Sequence, residues 1–359
     1  MNSSTPGLLA RPEILALKPY VAATYAEGSL RLNANETPWS PPGSDNDVSV
    51  EKLNQYPEER PTVLTAELAQ RYQVAPEQTL VTRGSSEAID LLIRCFCRSG
   101  QDEIVICPPT FGMYRVYADV QGAGVVEQPL LSEQNFALNV DAILDNWNDN
   151  TKLVFICTPN NPSGTSVPEN DLRRLAEGLQ GRGIVVIDAA YTEFSSEPDP
   201  TALVSQYDNV AVLRTLSKAL GLAGVRCGSL IANPETIGLI QRIMPPYSYP
   251  TPCQNAVLAA LAPENKGIQD ERIKLLVSER ERMSTAFDEL ACFTNVWPSD
   301  ANFILAQAKD AAAVTSVAAA AGILIRDFSK DPAVPGGLRI TIGTPDQNNQ
   351  LLSALESVQ

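Results

Sequence analysis

The chain has 359 residues, of which 44% are hydrophobic and 19% are charged, so it is long and apolar enough for two or three packed domains. Its formal net charge of −15 disfavours nucleic acid or an anionic membrane as the main partner. The absence of histidine excludes a Ser/His/Asp triad, a Cys/His dyad and any His-ligated metal site. Acid–base chemistry must therefore use Lys, Asp, Glu, Tyr or Cys, and we expect no metal.

The cysteines and the apolar runs of the sequence indicate the cellular compartment in which the protein resides. The 7 cysteines are scattered without a C-x-x-C pair, as expected of reduced thiols in a cytoplasmic protein. The amino terminus lacks the basic start and apolar core of a signal peptide. The longest uncharged run, residues 311–325, is shorter than the roughly 20 apolar residues of a membrane span. We interpret it as a helix ending at Gly322 and a strand over 323–326, and we predict a cytoplasmic protein without a membrane partner.

Short β-branched runs alternate with amphipathic stretches of helical period through the middle of the chain. The runs lie at residues 79–82, 103–107, 152–157, 184–188, 210–214 and 226–232. Helical stretches between them include 62–73, led by Pro61, and 85–97. This alternation is typical of a parallel sheet with helices on both faces.

The pattern changes after a Pro-rich segment at 244–252, where a long charged helical region precedes three short strand-like runs. We therefore predict an α/β protein whose large domain, residues 46–250, has a mostly parallel sheet flanked by helices. A smaller α+β domain would combine residues 251–359 with residues 1–45, which include an N-terminal arm.

In open α/β sheets, ligands bind beyond the carboxyl ends of the strands, so the residues that follow each run are the candidates for a site. Ser85 and Ser86 lie in a Gly/Ser turn that opens a helix, which suits an anionic phosphate, although serine there is ordinarily a cap. Asn161 lies in an Asn/Pro/Gly cluster that by itself indicates only a turn. Asp188 ends an apolar strand, and a buried carboxylate requires a cationic partner.

The run at 210–214 is followed by Thr215, Ser217 and Lys218, with Arg226 eight residues beyond the lysine. Each of them alone could belong to a solvated loop. Together they offer donors for a phosphate and an amine able to form a Schiff base. The chain has no G-x-x-x-x-G-K-[ST] motif and no complete dinucleotide-binding loop, so an enzyme using ATP or NAD is disfavoured.

Taken in order, the Gly-Ser-Ser turn, Asn-Pro-Ser-Gly, Asp-x-x-Tyr, Thr-x-Ser-Lys and the arginine resemble the coenzyme shell of the pyridoxal-phosphate aminotransferases of fold type I. The resemblance covers nearly the whole chain and implies an aspartate aminotransferase-like fold. Within that superfamily the chain is most similar to the histidinol-phosphate aminotransferases. The segments that carry this similarity are LNANE (32–36), YPE (56–58), CPPTFGMY (107–114), LRTLSK (213–218), LAGVRCG (222–228) and LRITIG (338–343).

The resemblance implies that Lys218 holds pyridoxal 5′-phosphate through its amine and moves a proton during catalysis. It implies that Asp188 pairs with the pyridine nitrogen, and that Asn161 and Tyr191 contact the phenolic oxygen of the ring. Phe111 would stack on the ring, although it could also be a core aromatic. The implied phosphate contacts are Ser85, Ser86, Thr215, Ser217 and Arg226.

Tyr56 resembles the family tyrosine that reaches the phosphate of the neighbouring subunit, which implies a homodimer with shared active sites. A surface ion pair between Arg326 and Asp327 is an alternative to a role for that arginine in the site. The implied substrate contacts are Tyr20, Asn35, Arg326 and Arg339.

The implied activity is reversible transamination between L-histidinol phosphate and 2-oxoglutarate, giving imidazole-acetol phosphate and L-glutamate in L-histidine biosynthesis. The residues leave two other pyridoxal-phosphate activities open, because fold and coenzyme do not determine the substrate. One is an aromatic amino-acid aminotransferase, and the other resembles threonine-phosphate decarboxylase. A coenzyme-binding regulator is disfavoured, since such proteins carry an added DNA-binding domain.

Overall fold

The computed structural model describes residues 4–19, 35, 37 and 53–358, and two β-sheets organise them. The larger sheet contains β1 (Thr79–Arg83), β2 (Glu103–Ile106), β3 (Gly124–Glu127), β4 (Thr151–Cys157), β5 (Ile184–Asp188), β6 (Val210–Thr215) and β7 (Cys227–Ala232). The smaller sheet contains β8 (Phe293–Val296), β9 (Phe303–Ala308), β10 (Arg326–Asp327) and β11 (Gly337–Thr341).

Helices surround both sheets. In the described ranges they are α1 (Thr5–Leu9), α2 (Pro12–Ala16), α3 (Thr62–Arg71), α4 (Ser85–Phe96), α5 (Met113–Gln121), α6 (Val140–Asp145), α7 (Glu169–Gly178), α8 (Pro234–Ile243), α9 (Thr251–Leu261), α10 (Lys266–Glu289), α11 (Ala311–Ala320) and α12 (Pro345–Leu355). Helices α3 and α4 confirm the two predicted from the sequence. Within these ranges, none of the helices combines the length and the apolar character needed to cross a bilayer.

The larger sheet has the strand order β1-β7-β6-β5-β4-β2-β3. Strands β3, β2, β4, β5 and β6 pair in parallel, which confirms the predicted mostly parallel sheet. Strand β7 is antiparallel to both of its neighbours, β1 and β6. The connection from β6 to β7, residues 216–226, contains no α-helix, whereas a parallel return needs a longer crossover.

Successive residues of β5 face opposite helix layers. Val185 and Ile187 belong to one apolar core with residues of α3 and α7, while Ile184 and Val186 belong to the other with residues of α4 and α8. Because both faces are covered, the strand has a continuous apolar sequence instead of an alternating one. Its first polar residue, Asp188, comes at the carboxyl end of the strand and is buried as well.

The smaller sheet is antiparallel, with the order β10-β11-β9-β8. Its core unites side chains of α10, α11 and α12 with those of β9 and β11. The strand predicted over 323–326 is wrong for most of its length, because pairing with β11 begins only at Arg326. Gly322, with φ of +77°, turns the chain after α11, and Leu324 is left 91% exposed.

The N-terminal helices α1 and α2 contact the larger domain, although residues 1–45 were predicted to belong to the smaller one. Ala10 and Ile14 pack into the core formed by α4 and α8, and the backbone N–H of Arg11 donates to the carbonyl of Cys95 at 3.2 Å. Helix α9 also lies against the larger sheet, because Val257 joins the core that contains α3. The exact domain bounds stay predictions.

Candidate active site

A cavity of about 750 Å³ lies beyond the carboxyl ends of β4, β5 and β6, with the smaller sheet on its far side. The fold therefore brings together side chains that are far apart in the sequence. The predicted site residues that line the cavity are Ser85, Ser86, Phe111, Asn161, Asp188, Tyr191, Thr215, Ser217, Lys218, Arg226, Arg326 and Arg339.

One end of the cavity is built for an anion. Helix α4 begins there at Ser85, and its cap is Gly84, which has no side chain to occupy the first amides. The Thr215 hydroxyl lies 3.0 Å from the Ser217 hydroxyl, and Nη1 of Arg226 lies 3.5 Å from the same serine oxygen. A helix N-terminus, two hydroxyls and a guanidinium together suit a phosphate group.

Two glycines permit this arrangement. A Cβ atom at Gly84, whose φ is +75°, would stand 2.4 Å from Nη2 of Arg226. A Cβ atom at Gly228 would stand 2.5 Å from the carbonyl carbon of Gly84 and 2.6 Å from the amide nitrogen of Ser85. The close approach of β7 to the start of α4 therefore requires glycine.

The carboxyl group of Asp188 lies in the floor of the cavity and is only 3% exposed. Its Oδ2 accepts a hydrogen bond of 2.8 Å from the hydroxyl of Tyr114. Its Oδ1 is buried and has no hydrogen-bond partner among the described residues. Burial raises the pKa of this carboxyl to about 6, against the opposing effects of Tyr114, the Ala190 backbone and Lys218. A cationic N–H donor, such as a protonated pyridine, would satisfy the free oxygen.

Lys218 extends from the loop after β6 into the same cavity, with its Nζ 5.6 Å from the centre of the Tyr191 ring. Its pKa is lowered, first by burial and then by the positive charges of Arg339 and Arg226, while Asp188 acts in the opposite direction. A lowered amine pKa increases the unprotonated fraction near neutral pH, and the unprotonated form is the nucleophile and the base.

In another part of the cavity wall, side chains of the larger and the smaller sheet contact each other. Asn161 Nδ2 donates to the Tyr191 hydroxyl at 3.4 Å, and Nη1 of Arg339 donates to Asn161 Oδ1. The Tyr191 ring meets Phe303 of β9 edge-on, with 5.1 Å between centroids. The guanidinium of Arg339, on β11, lies 5.2 Å from the centre of the Phe303 ring. Burial lowers the pKa of Arg339, and Tyr191 opposes that effect.

Arg326 is an exposed residue that lies directly opposite Arg339 in the pairing of β10 with β11. Its guanidinium is 5.7 Å from the centre of the Phe328 ring. Among the described residues, Arg326 and Asp327 form no salt bridge. The structure therefore does not support a surface ion pair as the explanation for this arginine. Two arginines therefore face the cavity side by side, which suits a ligand with a second anionic group.

Two predicted contacts, Tyr56 and Asn35, do not line the cavity of their own chain, and a third lies outside the described residues. Tyr56 is 52% exposed and stacks on Tyr247 with 4.9 Å between ring centroids, away from the cavity lining. Asn35 is exposed, has a positive φ of 57° and does not line the cavity. Tyr20 lies outside the described residues.

The structure adds cavity residues to which the sequence assigned no role, among them Cys157, Phe328 and Asp331. Tyr114 is a further case, since it contacts Asp188 from behind the cavity wall. The sequence offers one clue to Tyr114, because it follows Phe111 by three residues, in the turn that opens α5, where the Tyr114 N–H donates to the Phe111 carbonyl at 3.3 Å. Phe328 and Asp331 belong to an irregular loop that carries no pattern.

Comparison with known proteins agrees with this geometry. The family described as aminotransferase class I and II matches residues 44–355. The histidinol-phosphate aminotransferase of Xanthomonas campestris pv. campestris (strain 8004) is 43% identical over 363 residues, covering 100% of this chain and 99% of that relative. The chain belongs to the histidinol-phosphate aminotransferase family. The family resemblance found in the sequence motifs is confirmed.

Solved structures of histidinol-phosphate aminotransferases share the fold. The Clostridium acetobutylicum protein has a TM-score of 0.78 at 21% identity and covers 86% of this chain and 92% of its own. The Sinorhizobium meliloti protein, solved in complex with pyridoxal-5′-phosphate, has a TM-score of 0.76 at 23% identity and covers 85% of this chain and 82% of its own. The predicted aminotransferase fold is therefore confirmed, and this histidinol-phosphate aminotransferase family member places its cavity between the two sheets.

Proposed function

We propose that the chain catalyses reversible transamination between L-histidinol phosphate and 2-oxoglutarate with pyridoxal 5′-phosphate, as a step of L-histidine biosynthesis. Family membership over the whole chain supports this activity. The observation that carries it is the meeting, in one cavity, of Lys218, the unsatisfied Asp188 carboxylate and two arginines. No observation favours the aromatic amino-acid aminotransferase or the threonine-phosphate decarboxylase alternative.

The cavity residues fit pyridoxal 5′-phosphate at several separate points. The anion site at the start of α4 would hold the phosphate through Ser85, Ser86, Thr215, Ser217 and Arg226. Asp188 Oδ1 would accept a hydrogen bond from the protonated ring nitrogen, Asn161 and Tyr191 would contact the phenolic oxygen, and Phe111 would cover one face of the ring. When bound, this coenzyme supplies an electron sink that stabilises negative charge at the substrate's α carbon.

Three side chains would act on protons. Lys218 Nζ would take the proton from the α carbon of the amino substrate and would return a proton to that carbon in the reverse half-reaction, a role suited to an amine with a lowered pKa. Asp188 carries the negative charge that keeps a proton on the ring nitrogen. The Tyr191 hydroxyl lies 3.4 Å from Asn161 Nδ2. It would donate a hydrogen bond to the phenolic oxygen of the coenzyme and so lower the basicity of that oxygen.

The substrate would be held mainly by arginines. We propose that Arg326 and Arg339 bind the phosphate of histidinol phosphate and the carboxylates of glutamate and 2-oxoglutarate, since guanidinium groups form paired hydrogen bonds with both. Tyr20 and Asn35 are proposed as additional substrate contacts. One site would thus serve two anionic substrates in alternating half-reactions.

We propose a homodimer in which Tyr56 reaches the phosphate of the coenzyme in the neighbouring subunit. The exposure of its side chain and its place outside the cavity lining of its own chain support this arrangement. Sedimentation velocity would measure the mass, and a Tyr56→Phe variant of a true shared site would bind the coenzyme more weakly. A cytoplasmic location is proposed as well, because all seven cysteines are unpaired.

The activity is tested by following the visible absorption of the purified protein loaded with pyridoxal 5′-phosphate. Histidinol phosphate added without a keto acid should replace the coenzyme's visible band with that of the pyridoxamine form, and 2-oxoglutarate should restore it. Phenylalanine at the same concentration should do so poorly, and threonine phosphate should release no carbon dioxide. A band that histidinol phosphate leaves unchanged would refute the substrate assignment but not the coenzyme.

A further inference from the structure

The contact between Tyr114 and Asp188 has no role in the mechanism described above. Tyr114 is fully buried, and its hydroxyl donates to Asp188 Oδ2 at 2.8 Å. The other carboxylate oxygen, Oδ1, is the one left without a partner. The tyrosine therefore occupies one oxygen of the carboxylate from behind, while the second oxygen stays available to a ligand.

The tyrosine ring is held on two sides. It stacks on Phe155 of β4 with centroids 4.9 Å apart and an interplanar angle of 18°. It also meets the ring of Phe111 edge-on, with centroids 5.6 Å apart and an angle of 84°. A phenol clamped in this way cannot swing its hydroxyl away from the carboxylate, so the hydrogen bond also restrains rotation of the Asp188 side chain.

We propose that Tyr114 is a positioning residue for the coenzyme ring, which orients Asp188 so that Oδ1 faces the ring nitrogen and at the same time supports Phe111 on the ring's face. This inference rests on the proposed function. The turn that opens α5, in which the Tyr114 N–H donates to the Phe111 carbonyl at 3.3 Å, thus connects the residue that would cover the ring with the residue that orients the ring's counter-ion.

The hydrogen bond also affects the ionisation of Asp188. The titratable groups around this carboxyl are Tyr114 on α5, Cys157 on β4, Tyr191 after β5 and Lys218 after β6. Donation from Tyr114 stabilises the charged carboxylate and lowers its pKa against the larger effect of burial. Removal of the hydroxyl therefore moves the pKa of Asp188 upward, so the charge needed to pair with the ring is lost at a higher pH.

The test compares Tyr114→Phe with Tyr72→Phe as a matched control. Tyr72 is also a buried tyrosine, but its hydroxyl has no hydrogen-bond partner among the described residues. Equilibrium dialysis would give the Kd for pyridoxamine 5′-phosphate between pH 5.5 and 8.5, a probe that forms no bond with Lys218. We expect Tyr114→Phe to raise this Kd about tenfold at pH 7.5. The acidic limb of the pH profile, where Kd rises as Asp188 is protonated, should move upward by about one pH unit. Tyr72→Phe should change neither the Kd nor the limb.

A second variant should shift the acidic limb of the pH profile in the opposite direction. A 3-fluorotyrosine placed at position 114 is a more acidic donor, so it should move the acidic limb to lower pH, which a packing defect would not do. An unchanged limb in both Tyr114 variants would overturn the inference, even if the Kd rose at every pH. Failure of the unaltered protein to bind pyridoxamine 5′-phosphate would instead refute the proposed function.

Discussion

Arg339 in the smaller sheet donates a hydrogen bond to Asn161 in the loop after β4 of the larger sheet. The proposed anion site for the substrate is thereby linked to a proposed contact of the coenzyme. The Nε of Arg339 is buried and has no partner among the described residues, so it remains available to an anionic ligand. We infer that a substrate anion at Arg339 would also influence how Asn161 holds the coenzyme.

Replacement of Arg339 by lysine should weaken binding of both substrates. Arg339→Lys keeps the charge but loses the planar fork that pairs with carboxylate and phosphate. We expect the KM for histidinol phosphate and for 2-oxoglutarate to rise about tenfold or more, as measured by steady-state kinetics. Arg115→Lys, in an ion pair with Glu127 away from the cavity lining, is the control. Unchanged KM values for both substrates would contradict this assignment.

Arg326 should contribute to substrate choice. If it binds the phosphate, Arg326→Ala should raise the KM for histidinol phosphate about tenfold and leave the weak reaction with phenylalanine nearly unchanged. Competition between the two amino donors gives the ratio of kcat/KM values directly. An equal loss with both substrates would show that Arg326 acts on the fold of the loop and not on specificity.

Lys218 is predicted to be required for turnover. Lys218→Ala should lower kcat by at least roughly 10²–10⁴-fold, because the chain has no histidine to replace the amine as proton carrier. The variant should still bind pyridoxal 5′-phosphate through the anion site at the start of α4. Stopped-flow absorbance measures the single-turnover rate, with the exposed Lys309→Ala as control. Appreciable turnover by the variant would refute the assignment.

Asp188 should lower the stability of the coenzyme-free protein at neutral pH. Its pKa is about 6 in the folded chain against an ordinary 3.8, so the folded state binds more protons between these values and stability falls as the pH rises through that window. Asp188→Asn removes the effect. We expect a gain on the order of 2–3 kcal/mol at pH 8, which is much smaller at pH 4 and vanishes only well below the ordinary pKa of 3.8, where the carboxyl is neutral in both states.

Urea unfolding of both proteins without coenzyme, at pH 4 and pH 8, measures the difference. The same substitution should weaken coenzyme binding, because it removes the charge opposite the ring nitrogen. An Asp188→Asn protein that is no more stable at pH 8 than the unaltered chain would show that burial does not raise the pKa of this group.

Gly228→Ala should damage the anion site without touching any of its donors. The added methyl group would stand 2.6 Å from the amide nitrogen of Ser85, so the start of α4 must move. We expect weaker binding of pyridoxal 5′-phosphate and of inorganic phosphate, measured by isothermal titration calorimetry. Gly238→Ala in α8 is the matched control, since its methyl group meets no atom within 4 Å and alanine favours a helix.

Local sequence patterns were sufficient to predict the larger sheet and several of the residues that line the cavity at its edge. Strand β5 is apolar on both faces and ends in Asp188, so both its parallel pairing and its polar end could be predicted from the run itself. Lys218 and Arg226 follow β6 in a motif specific to one coenzyme. By contrast, the strand predicted over 323–326 is wrong, because short apolar runs do not distinguish a strand from the irregular end of a helix.

The sequence by itself determined the fold class, the family and the absence of any histidine chemistry, because these depend on residue type and on spacing along the chain. Only the tertiary structure decided that Tyr114 donates to Asp188, that Arg339 reaches Asn161, and that the N-terminal helices pack into the core formed by α4 and α8. Each of these contacts joins segments of the chain that are distant in sequence. Their geometry depends on how whole layers pack, and no local pattern contains that information.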